Sequence, residues 1–207
     1  MYDSGDFGID YLLELVDSIE EHPHPLVETM YHCELDFQTL NRYMEFVPEH
    51  LQNLTDESPV LAAFFPFTFA QGTLFTVFST LERSLDELCD VSSRVFDVKV
   101  LYQSDSGPSV SRSINYLSDV VGLRDLHRMP SKRLLLSWRA VRNCYVHSAG
   151  RARSDFDRKH AESVGLSMSE GGYINLHITD VQNFAETAYV FLHATFERLI
   201  AKTNLRR

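Results

Sequence analysis

The sequence predicts an all-α protein, and three observations lead to that prediction. Apolar residues recur at i, i+3, i+4 and i+7 through most of the chain. Breaker clusters divide the periodic stretches: HPHP at 22–25, DESP at 56–59 and QSDSGP at 103–108. Only one short stretch, GYINLHI at 172–178, alternates as a strand would. Hydrophobic residues make up 44% of the 207, with 14 Phe, enough to build a core.

The elements follow in order. Residues 9–21 place Ile9, Leu12, Leu13, Val16 and Ile19 at helical spacing, and HPHP ends that helix because proline cannot continue it. A second helix is predicted from about 26 to 54, with Leu26, Met30, Cys33, Phe37, Leu40, Met44 and Val47 on one stripe and a kink or split at Pro48. A third spans about 60–95. Its first half, VLAAFFPFTFAQGTLFTVFSTL, is apolar nearly all round, as a central buried helix would be. It turns amphipathic at LERSLDELCD, and Pro66 and Gly72 are candidate kinks. A loop at 103–108 leads to a short helix from Ser109 to Val121 that Gly122 stops. Pro130 and Ser131 open a helix over 131–147. The polar stretch 148–171 reads as a long mobile surface loop. Residues 172–178 form a strand or extended arm. Thr179 or Asp180 caps a last helix to about 202, with Val181, Phe184, Ala188, Phe191, Leu192, Phe196 and Leu199 inward.

The chain is expected to be a single helical domain over 1–207, with N-terminal helices in 1–55 and a core bundle over 60–203. No uninterrupted apolar run of about 18 residues is present, so no membrane span is expected. The acidic start, MYDSGDFGID, does not read as a signal peptide. Cys33, Cys89 and Cys144 are odd in number and far apart, and read as reduced packing residues of a cytoplasmic protein. His22 and His24 form an HxH pair with no third ligand in view, so neither metal nor cofactor is expected.

Net charge is −10, but it is unevenly distributed. From Arg124 to Lys159 there are ten Lys/Arg against three acids, a net +7; the rest of the chain carries nine bases and 26 acids, a net −17. One basic surface on an acidic body is a phosphate footprint, unless those bases pair with acids of other helices.

Within that window lies RNCYVH, Arg142 to His147, ending an apolar helical run. Cleaving RNA without a metal needs a cation for the phosphorane oxygens, a base for the 2′-hydroxyl and an acid for the leaving oxygen. Arg142 suits the first, since guanidinium forks onto phosphate. His147 suits either of the others, because histidine changes charge near neutral pH. Asn143, four residues before His147, shares its face and can orient the imidazole or bond phosphate. Both Arg142 and His147 have alternatives as helix C-terminal cations, and Arg142 can also pair with Glu82. Arg139 lies three before Arg142 and extends the contact or is a solvated helix residue. Tyr145 is core or lines the site, and Trp138 is core. Arg151 and Arg153 add to the basic face as RNA contacts. Cys144 has His147 within reach at i+3, but no oxyanion-binding context accompanies it.

Arg142 and His147 are five residues apart, about 140° around a regular helix. One helix therefore aims them poorly at one phosphate. Either the helix loosens near His147 or a second copy supplies the complement.

The Arg-polar-x3-His pattern, at the end of a Leu/Trp-rich helix and followed by a glycine turn, resembles the HEPN superfamily, whose helical bundles carry an R-x4–6-H motif. The resemblance covers about 60–203 and includes Leu81-Glu82-Arg83-Ser84-Leu85, similar to an LE-x-x-L segment of such families. It implies a metal-independent endoribonuclease in a toxin–antitoxin or phage-defence role. It also implies a homodimer whose two motif helices form one composite site from Arg142, Asn143 and His147. The expected partners are RNA, a second copy and an antitoxin or defence-system protein, with no membrane. The rival reading is a non-catalytic HEPN module that binds RNA or a protein. Some such toxins carry a tyrosine two residues after the histidine as the target of nucleotide modification. Here Ser148 and Ala149 follow His147, so that regulation is not implied.

Overall fold

The structure, a computed structural model, describes residues 24–100, 102 and 110–204, with 51–57 described by backbone alone. It is an all-α bundle of six helices among the described residues. They are α1 (Pro25–Glu57), α2 (Pro59–Val95), α3 (Val110–Asn115), α4 (Pro130–Ser148), α5 (Asp155–Ser163) and α6 (Ile178–Asn204). A π-helical turn (Tyr116–Val120) continues α3, and a 3-10 turn (Arg124–Arg128) precedes α4. The helix expected at 9–21 and the loop at 103–108 lie outside the described residues.

At 33 and 37 residues, α1 and α2 are about 50 and 56 Å long at 1.5 Å per residue. Ser58 alone separates them. Its hydroxyl accepts from Leu61 N at 3.4 Å, and Pro59 takes the first helical position, where a missing N–H costs nothing. The split expected at Pro48 does not occur, because α1 runs through it to Glu57.

α6 lies against α1, α2 and α4 and supplies the centre of the core. Phe184, fully buried, stacks on Phe78 of α2 at 4.8 Å between centroids and meets Trp138 of α4 at 5.0 Å. All seven residues expected inward on α6 are buried, as are six of the seven on the α1 stripe, Val47 being half-buried. The three cysteines are free and buried.

Three expectations need correction. The first half of α2 is not a buried central helix. Val60 and Phe64 are each 67% exposed and burial begins at Phe69, because the tip of the α1–α2 hairpin runs past the elements that cover the rest. By length and composition α2 is also apolar enough to cross a membrane, although no unbroken apolar run suggested one. Its second half is built into the core, so the helix alone gives no membrane assignment. The stretch 148–171 is not one long loop. It contains α5, started by a capping box in which Ser154 Oγ accepts from Asp157 N at 3.2 Å and the Asp157 carboxylate accepts from Ser154 N at 3.0 Å.

Residues 173–177 are extended but form no strand. Two isolated antiparallel bridges hold them, Arg151 to Tyr173 and Met168 to Ile174. The last helix begins earlier than expected, at Ile178. The Asp180 carboxylate accepts from His177 N at 2.8 Å, so Asp180 caps from the first turn instead of preceding it.

Candidate functional site

The RNCYVH segment forms the last two turns of α4, which stays α-helical through Ser148. Ala149 and Gly150 then turn left-handed (φ 51° and 81°), and both the Ala149 and Gly150 amides bond to the Cys144 carbonyl. This is a Schellman-like stop, and it leaves the helix regular at His147. Of the two ways to converge Arg142 and His147, loosening of the helix is therefore removed. Arg142 and Asn143 are half-buried, while His147 is exposed in the final turn.

Arg142 Nη1 donates to Asn143 Oδ1 at 3.3 Å, so the amide steadies the cation rather than the imidazole. Arg142 Nε is buried with no acceptor among the described residues. Glu82 of α2 is its nearest electrostatic partner, yet no ion pair within 4 Å joins them among the described residues. Burial pushes the Glu82 carboxyl above its ordinary value, while Arg142, and less strongly Arg139 and Arg112, pull it back.

Arg112 of α3 belongs to this cluster and sequence reasoning missed it. Its Nε donates to Tyr102 Oη at 3.3 Å, and its guanidinium lies 5.4 Å from the centre of that ring. Tyr102 Oη and Ser113 Oγ in turn donate to Asp86 Oδ1, at 2.5 and 3.0 Å. Asp86 lies four residues after Glu82, one turn along the same face of α2. Only the helical phase of RSINYL, without a motif, hinted at Arg112 in the sequence.

Arg139 is exposed and its Nη1 donates to Ser111 Oγ at 2.7 Å. Arg151 is exposed, with its guanidinium 5.8 Å from the centre of the Tyr173 ring. Arg153 is exposed, and its backbone N–H donates to Asp157 Oδ2 at 3.0 Å. Tyr145 is a core residue: its hydroxyl donates to the Ile174 carbonyl at 2.8 Å and its ring lies 6.0 Å from Phe67. Cys144 is buried, and burial pushes its thiol up to about 11, which removes the thiolate a nucleophile needs at neutral pH.

Most of the basic window is exposed. The ion pairs among the described residues use Arg83, Arg94, His127, His193 and Arg198. None of the ten bases from Arg124 to Lys159 is among them, and eight of the ten are exposed, Lys132 and Arg142 being half-buried. Within 4 Å, no acid among the described residues pairs with them, although Glu82 of α2 interacts at longer range with Arg142 and Arg139. Among the described residues, no three His, Cys, Asp or Glu side chains gather as a metal site.

Compared with known protein families, curated proteins and solved structures, the chain matches none.

Proposed function

We propose that this chain is a metal-independent endoribonuclease of HEPN type, acting as a homodimer in a toxin or phage-defence role. The observation on which this reading rests is the exposed basic window, none of whose ten bases forms an ion pair within 4 Å among the described residues, with the half-buried Arg142 in it. Arg142 holds the scissile phosphate and stabilises the charge of the phosphorane. His147 of one protomer takes the 2′-hydroxyl proton, and the same residue of the second protomer protonates the departing 5′-oxygen. The products are a 2′,3′-cyclic phosphate and a 5′-hydroxyl end. Two protomers are needed because α4 is regular through Ser148, which keeps Arg142 and His147 about 140° apart on one helix.

The test is incubation of purified protein with RNA in EDTA. Cleavage is expected, and His147→Ala should slow it by about 100-fold or more while folding and RNA binding persist. If His147→Ala cuts as fast as the parent, the catalytic assignment is wrong. A second reading, a binding module without catalysis, is favoured by one observation: Arg142 bonds to Asn143 while His147 stands apart in solvent. It predicts retention of RNA with no cleavage under any condition.

A further inference from the structure

A groove of about 1110 Å³ runs between the tip of the α1–α2 hairpin and residues 173–179, the extended segment and the start of α6. One wall is Phe65, Pro66, Phe67 and Phe69 of α2; the other is the extended segment from Tyr173 to His177 with Ile178 and Thr179 of α6. Phe67 is 43% exposed and Tyr173 is 49% exposed. This volume exceeds that of an ordinary small-ligand pocket.

We propose that this groove is a subsite for the unpaired bases of single-stranded RNA next to the cleaved linkage, with Tyr173 as a stacking platform and Arg151 and Arg158 on the backbone. The proposal rests on the ribonuclease reading above for its substrate, but not for its test.

Three observations support it. The first is continuity with the motif helix. Tyr145, two residues before His147, is bonded to the Ile174 carbonyl and packs near Phe67, so both walls of the groove are fixed to the last two turns of α4. The second is charge. The Arg151 guanidinium lies over the Tyr173 ring at 5.8 Å, and Arg158 Nη2 is 3.9 Å from the point where a side chain on Gly172 would begin. Neither arginine forms an ion pair among the described residues, and a single acid, Glu49, lines the groove. The third is chemistry. An exposed ring beside guanidinium groups that hold no ion pair among the described residues is the pairing that binds a base by its face and the adjoining phosphate by its charge. Bases in a duplex have no free face to offer, so the occupant is a single strand.

The experiment uses the full chain and fluorescent 2′-O-methyl oligonucleotides of about 12 nucleotides, which lack the free 2′-hydroxyl and so are not cut. Binding is read by anisotropy, and oligomeric state by light scattering. The single strand is expected to bind at least tenfold tighter than the same sequence in a duplex. Tyr173→Ala should weaken single-strand binding by about 5- to 100-fold. Tyr173→Phe, which keeps the ring, should bind like the parent. Arg151→Gln should reduce the slope of log affinity against log salt by about one. Parent-like binding by Tyr173→Ala, or equal affinity for duplex, overturns the proposal. So does dissociation of a dimer by Tyr173→Ala, which would assign the groove to a protein interface. If the oligonucleotide binds through Tyr173 but no RNA is ever cut, the subsite stands and the nuclease reading falls. If RNA is cut but Tyr173→Ala changes neither binding nor cleavage, the reverse holds.

Discussion

Gly150 is where the stop of α4 and the anchoring of the extended segment meet, and Gly150→Ala measures how rigid that junction is. The residue has φ +81°, and a Cβ built on it lies 2.7 Å from Tyr145 Cε1. The left-handed backbone costs an alanine about 1–2 kcal/mol. To restore ordinary contact at 3.4 Å the ring must retreat by about 0.7 Å. That displacement would stretch the 2.8 Å bond from Tyr145 Oη to the Ile174 carbonyl to the limit of a hydrogen bond. Losing it inside the protein adds about 1–1.5 kcal/mol. Gly165 supplies the control. It has the same φ of +81° with nothing within 4 Å of its Cβ, so Gly165→Ala bears the backbone cost alone. For a chain of this size, 1 kcal/mol corresponds to roughly 2–4 °C in Tm. Gly150→Ala should therefore melt about 2–6 °C below Gly165→Ala by circular dichroism, at matched concentration and pH. Equal melting temperatures for the two variants would mean that the Tyr145 ring moves freely and that the junction is not the fixed point described here.

Two further outcomes are expected. The Asp157 carboxyl is held below its ordinary value: burial acts upward, but the Ser154 hydroxyl and the backbone N–H groups of Ser154 and Arg153 outweigh it. A depressed carboxyl stabilises fully above the unfolded value, about 3.9, and its contribution is lost as pH falls through the lower folded value. Hydrogen exchange over 155–163 should accelerate as pH drops through that window after correction for intrinsic rates, Asp157→Asn should remove the dependence, and Ser154→Ala should cost α5 about 1 kcal/mol at neutral pH. Phe184→Ala, at the fully buried junction of α2, α4 and α6, should lose about 3–5 kcal/mol in urea titration, whereas Phe64→Ala on the exposed hairpin tip should stay within about 0.5 kcal/mol. A large loss at Phe64 would mean that the tip is covered.

The bundle was legible because its helices announce themselves through period. The stripes of α1 and α6 came out almost residue for residue, since a long amphipathic helix repeats its signal over many turns. The first half of α2 misled for the complementary reason. A segment apolar on every side carries no phase, and composition alone does not say whether neighbours extend far enough to cover it. α5 is only nine residues, too short for periodicity, and its real signature was Ser154 followed three positions later by Asp157. At the site, the sequence located Arg142, Asn143 and His147 and the basic window. It did not reveal Arg112, whose proximity to the cluster depends on α3 folding back across α2, nor the link from Arg112 through Tyr102 to Asp86. Tyr173 was hidden for the same reason, because its partnership with Arg151 crosses a turn and a whole helix.

The uncovered run at the hairpin tip has a consequence for the chain before it folds and whenever it opens. Val60 to Phe65 holds two alanines, two phenylalanines, a valine and a leucine with no charge, the composition that stacks into intermolecular β-structure. Pro59 and Pro66 bracket it. Each proline fits its helical setting, one at the first position of α2 and the other inside it. In an extended strand the same prolines withhold the amide that a neighbouring chain would need. The adhesive stretch is thus confined to six residues, near the minimum length for a steric zipper, and the prolines act as gatekeepers against aggregation at an exposed apolar part of the molecule.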